Sequence, residues 1–107
     1  MIVRRRLVIE GTCRWPIMED QIGRYLKKLS DVCDMKLLVD PVTHQSDRYG
    51  WAGWIHWENS GAHFYAWDTP KLFFSVDIYT CKEFDAQAAC EFTRVFFQAP
   101  EIVAMAF

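Results

Sequence analysis

Four cysteines (Cys13, Cys33, Cys81, Cys90), three histidines (His44, His56, His63) and Ser60, set in Glu58-Asn59-Ser60-Gly61, are the residues here whose types could do chemistry. The cysteines form no Cys-x-x-Cys pair and no dense framework, which points to a reducing compartment, the cytoplasm. The histidines lack any His-Glu-x-x-His or Cys/His spacing suited to zinc, so no metal site is expected. By itself Ser60 is a turn residue beside glycine, and Cys81 is a small hydrophobe closing an apolar run. Spacing alone assigns neither of them a reaction.

The rest of the composition narrows the class. With 12 Lys+Arg against 14 Asp+Glu the net charge is -2, the wrong sign for a nucleic-acid footprint. The one basic run, Arg4-Arg5-Arg6, reads as the solvated start of a strand. No apolar segment approaches a signal peptide or a membrane span, so no membrane partner is expected. A chain of 107 residues makes one domain, 1–107, and buries roughly 65% of its unfolded surface. Aromatics make up 16% of it, including 5 Trp and 8 Phe. A thin two-layer core can hardly hide them all, so some are expected at a subunit interface or pocket.

These residues must be held by elements that the patterning outlines. Leu7 to Gly11 reads as a first strand. After Pro16, Glu19 and Asp20 suit a helix N-terminus, and Ile22, Tyr25, Leu26, Leu29, Val32 and Cys33 follow at helical spacing. Lys36 to Val42 reads as a second strand, with a polar loop from His44 to Gly50. Trp51–Trp57 and Ala62–Trp67 form a hairpin with Asn59 and Ser60 near its tip. Leu72–Tyr79 is the clearest strand, Asp85 should cap a second helix ending before Pro100, and Ile102–Phe107 is the final strand. The expected fold is α+β: a two-layer sandwich with a mainly antiparallel sheet and both helices on one face. The surplus Trp and Phe are expected on the other face.

Two stretches, Asn59-Ser60-Gly61-Ala62-His63-Phe64-Tyr65-Ala66-Trp67 and Ser75-Val76-Asp77-Ile78-Tyr79-Thr80-Cys81, resemble the small prokaryotic type of S-adenosylmethionine decarboxylase. That family carries Glu-Ser-His, a His-Thr-Trp four residues on, and a strand like Val-Asp-Val-Phe-Thr-Cys. The resemblance implies a proenzyme of the polyamine (spermidine) lineage. Its hairpin serine attacks the preceding carbonyl, cleaves the chain and becomes a pyruvoyl group, a ketone that accepts electrons as carbon dioxide leaves. With Trp67 as anchor, it implies Ser60 as pyruvoyl precursor, cleavage between Asn59 and Ser60, and Cys81 as proton donor. It also implies substrate contacts near Trp67 and Asp68, and a homodimer with sites formed near the subunit contact.

The departures from the family pattern are specific. Asn59 replaces glutamate, Gly61 replaces histidine, and Tyr65 stands where the family has its processing base. Ala52 stands where a second serine assists, and Trp67-Asp68-Thr69 replaces Trp-Pro-Glu. A phenol with a pKa of about 10 is a poor base near neutrality; His63, on the same strand face as Tyr65, could substitute only with a shifted register. Asp77, within an apolar strand, reads as structural or interfacial. Two readings stay open. One is a diverged family member that does not self-process, holds S-adenosylmethionine or a related small molecule, and has no cofactor, with an active decarboxylase paralogue as a further partner. The other is an active lyase, a pyruvoyl-dependent decarboxylase of S-adenosylmethionine or a related amino acid, in which His63 or Tyr65 aids processing.

Overall fold

Alternation of buried with more exposed side chains along the central strands builds the molecule. The structure, a computed structural model, describes residues 3–58 and 60–107. In chain order the elements are β1 (Arg5–Thr12), α1 (Glu19–Val32), β2 (Val42–Gln45), β3 (Gly50–His56), β4 (Gly61–Trp67), β5 (Phe73–Thr80), α2 (Ala86–Phe96) and β6 (Ile102–Ala106). They form one sheet of order β2-β3-β4-β5-β1-β6, with every neighbouring pair antiparallel. Both helices lie on one side: α1 packs on β2 and β3, and α2 on β1 and β6. This is the two-layer α+β sandwich expected from the patterning.

The helix face carries the core. Leu7, Ile9, Ile55, Phe64, Phe74, Val76 and Ile78 point inward from the strands, against Ile22, Tyr25, Leu26 and Leu29 of α1. Phe64 sits among rings, with centroids 5.3 Å from Tyr25, 5.2 Å from Phe97 and 5.8 Å from Phe74. Two pairs of buried polar groups bond within this layer: Tyr25 Oη lies 2.7 Å from Thr93 Oγ1, and Trp57 Nε1 donates to Ser30 Oγ at 2.7 Å. The helix starts follow local chemistry. Gln21 Oε1 accepts the Met18 N–H at 3.0 Å, and Asp85 Oδ1 caps α2 by accepting from Ala88 N at 3.0 Å. Gly53 lets α1 approach the sheet, since a Cβ there would lie 2.7 Å from Ile22 Cγ2.

Two expectations are corrected. The second strand is not Lys36–Val42: β2 begins at Val42 and includes His44, which was expected in a loop. Between them, Leu37 makes only an isolated bridge to Trp57, and Asp40-Pro41 interrupts the pairing because proline has no N–H to give a ladder. The true turn follows β2, where Ser46 Oγ accepts from the Arg48 and Tyr49 amides at 3.1 and 3.3 Å. The aromatic surplus is also divided differently. Phe64, Phe74, Phe84, Phe92, Phe96 and Phe97 belong to the core or pack against it. The sheet's other face keeps Trp54, Trp67, Phe73, Tyr65 and Tyr79, and Phe107 follows β6 at its edge.

Candidate functional site

The β3–β4 turn brings the two residues singled out by the sequence together. Trp57 N donates to Ser60 O at 2.8 Å, closing the turn, and Ser60 Oγ accepts the backbone N–H of Cys81 at 3.1 Å. Residues 21 positions apart thus meet at the shared end of β4 and β5. The backbone is tight here: a Cβ on Gly61 would lie 2.7 Å from Ile55 O. That explains why this hairpin has glycine directly after the serine. Asn59, on the other side of the expected cleavage bond, lies outside the described residues.

A cavity of about 480 Å³ opens beside Ser60, lined also by Arg6, His56, His63, Asp77 and Tyr79, a size suited to a small molecule. The lining comes from one rule of strand geometry, that alternate residues share a face. His56 pairs with Gly61 across β3 and β4, His63 with Asp77 across β4 and β5, and Arg6 with Tyr79 across β1 and β5, so all five project from the open face. Arg6 clasps Asp77 with two hydrogen bonds, Nε to Oδ1 at 3.0 Å and Nη2 to Oδ2 at 2.6 Å. That bonded carboxylate raises the Arg6 pKa further above its ordinary value. Arg4 in turn donates to the Tyr79 hydroxyl oxygen. The basic run at the start of β1 is therefore exposed, as expected, and is also engaged with β5.

The remaining expected site residues lie elsewhere. Tyr65 and Ala52 are direct cross-strand partners and line a second hollow of about 230 Å³ with His44, Tyr49, Trp51 and Trp67. There Trp67 stacks on Tyr49 with centroids 4.8 Å apart and meets the edge of Phe73, and Asp68 is exposed just beyond. Trp51, the partner of Ala66 across β3 and β4, packs against the core, and its indole Nε1 is buried without an acceptor. So the structure groups Ser60, Cys81 and His63 at one end of β4, and leaves Tyr65, Trp67 and Asp68 toward the other. Sequence reasoning missed Arg6, His56 and Tyr79 as cavity residues; the signal was available in Asp77, an acid in an apolar strand that needed a partner.

With this geometry in hand, the comparisons place the chain in two steps. Its architecture is that of the S-adenosylmethionine decarboxylase sandwich. The crystal structure of the adenosylmethionine decarboxylase from Aquifex aeolicus superposes with a TM-score of 0.78 at 14% identity, covering 99% of this chain and 89% of that one. The family model for S-adenosylmethionine decarboxylase matches residues 15–107, and the chain belongs to that family. No curated protein matches the sequence. Among the described residues no helix is long and apolar enough to cross a membrane.

Proposed function

We propose that this chain is a family member that holds a small ligand beside Ser60 without converting that serine. The observation that carries the reading is the pairing of Ala52 with Tyr65. Those are the positions where the resemblance needs a hydroxyl and an imidazole. Here they give a methyl group and a phenol, and they line a hollow to which Ser60 does not contribute. Tyr65 is 47% exposed on the open face, and a phenol there does not supply the imidazole that the resemblance needs. With a methyl group and a phenol at those two positions, the chain does not fit formation of a pyruvoyl group from Ser60. What persists is the cavity and the Ser60–Cys81 contact.

The ligand class follows from the family, S-adenosylmethionine or a related small molecule. Trp67 and Asp68 are proposed to touch it, although they stand roughly 23 Å along the strand from Ser60. A homodimer through the open face would resolve this distance, setting the Trp67 end of one copy near the Ser60 cavity of the other. That face supports such a pairing, since Tyr65, Tyr79, Val103, Met105 and the following Phe107 are 41–69% exposed. The four free thiols go with a reducing compartment such as the cytoplasm. An active decarboxylase paralogue is a further proposed partner, tested by co-purification from cells holding both.

Intact mass of the purified chain after long incubation tests the proposal. One full-length species is expected, and two pieces split between Asn59 and Ser60 would overturn it. One observation favours the second reading, an active pyruvoyl-dependent enzyme: His63 lines the same cavity as Ser60. Under that reading His63→Ala blocks the split, whereas Tyr65→Phe leaves it intact.

A further inference from the structure

We infer that the cavity beside Ser60 recognises its ligand through a carboxylate, received by the end of the Arg6 guanidinium that Asp77 leaves free. The inference rests on the ligand-holding reading above and names the group that is held. A guanidinium offers five N–H donors arranged in forks that match a carboxylate. Asp77 occupies the Nε and Nη2 side of Arg6. Among the described residues nothing accepts from Nη1, so the Nη1/Nη2 fork has no protein acceptor bridging it. The guanidinium is also fixed in orientation, with its central carbon 5.6 Å from the Phe107 ring. Arg6 is thus held on one edge by Asp77 and over one face by an aromatic ring, and it is one of the residues that line the cavity.

The other lining groups can add donors beside Arg6. Tyr79 Oη already accepts from Arg4, which leaves the phenol hydrogen to donate. His56 and His63 each carry at least one ring N–H in any protonation state. Asp77 is the one acidic side chain in the lining, and Arg6 engages both its oxygens. A donor-rich pocket beside a preoriented guanidinium selects an anion of planar, two-oxygen geometry. The α-carboxylate of an amino acid has that geometry. The grip also accords with holding rather than converting: a cation bound to a carboxylate stabilises the ion relative to the neutral carbon dioxide it would release, which raises the barrier to its loss.

Calorimetric titration with S-adenosylmethionine and with its decarboxylated form tests the inference, because the two differ in this one group. Wild type should bind the carboxylate form at least tenfold more tightly, and Arg6→Gln should bring the two affinities within about twofold. Arg6→Lys, which keeps charge but loses the fork, serves if the glutamine variant fails to fold, and should lose most of the preference. Equal binding of both forms by wild type would overturn the inference. So would an unchanged preference in the folded Arg6 variants, absence of S-adenosylmethionine binding, or inorganic phosphate binding as tightly as the amino acid. The same titration on Ser60→Ala, which cannot cleave itself, keeps this question separate from self-processing: a wild-type chain found in two pieces would defeat the reading above while the ligand preference could still be measured.

Discussion

The same six strands present two faces of opposite character. On the helix side, Phe64, Phe74, Val76, Ile78 and Ile9 are fully buried beneath α1 and α2, and the polar atoms there are hydrogen-bonded in short chains such as Tyr25 to Thr93 to Ala89 O. On the open side the strands alternate instead to Arg6, His56, His63, Tyr65, Asp77 and Tyr79. One face holds the fold together; the other carries the residues of the proposed site and is expected to tolerate change without unfolding the chain. The difference teaches how open-face positions such as Ala52 and Tyr65 can differ from the family pattern while the architecture is kept at 14% identity to a solved relative.

This contrast can be broken or sharpened by substitution on each side. The largest effect is expected at Phe64→Ala, which removes a ring packed against Tyr25, Phe74 and Phe97 and should cost about 3–5 kcal/mol in denaturant unfolding. A cost under about 1 kcal/mol would mean that the helix side is not the stabilising layer. Alkaline pH acts on the same side. Burial pushes the Cys33 thiol from 9.0 up to about 12, and burial also raises Tyr25, Cys13 and Cys90. The folded state disfavours the thiolate, so the contribution is full below pH 9, where the unfolded thiol is neutral. It is lost as pH climbs toward 12, by about 1.4 kcal/mol per pH unit for this group. Urea midpoints measured from pH 8 to 11 should fall, and less steeply in Cys33→Ala.

Smaller effects follow. Asp85→Ala removes the α2 cap and should cost about 1 kcal/mol, read as a lowered thermal midpoint. Smallest is Tyr65→Ala on the open face, expected to change protomer stability by no more than about 0.5 kcal/mol while weakening self-association measured by sedimentation. A large loss of protomer stability there would erase the distinction between the faces.

Much of the helix side was legible in the sequence. The three- and four-residue spacing from Ile22 to Cys33 gave α1, Asp85 gave the start of α2, and the apolar run Leu72–Tyr79 gave β5, observed at Phe73–Thr80, because each signal is local. The strand at Val42–Gln45 was not legible, since its polar residues read as a loop while the apolar Leu37-Leu38-Val39 run suggested a strand that Asp40-Pro41 does not allow. At the site, the meeting of Ser60 and Cys81 could be anticipated through the family resemblance. Arg6 could not: it reaches Asp77 across 71 positions, a distance that only strand order closes. Asp77 reads from the sequence as structural or interfacial, and the sequence offered no means of choosing Arg6 as its partner.

Native mass spectrometry of the purified chain in the presence of S-adenosylmethionine tests the central claim most directly. The account predicts an uncut polypeptide, assembled as a pair, carrying one ligand per chain. A species composed of two fragments that meet at the Asn59–Ser60 bond would contradict it.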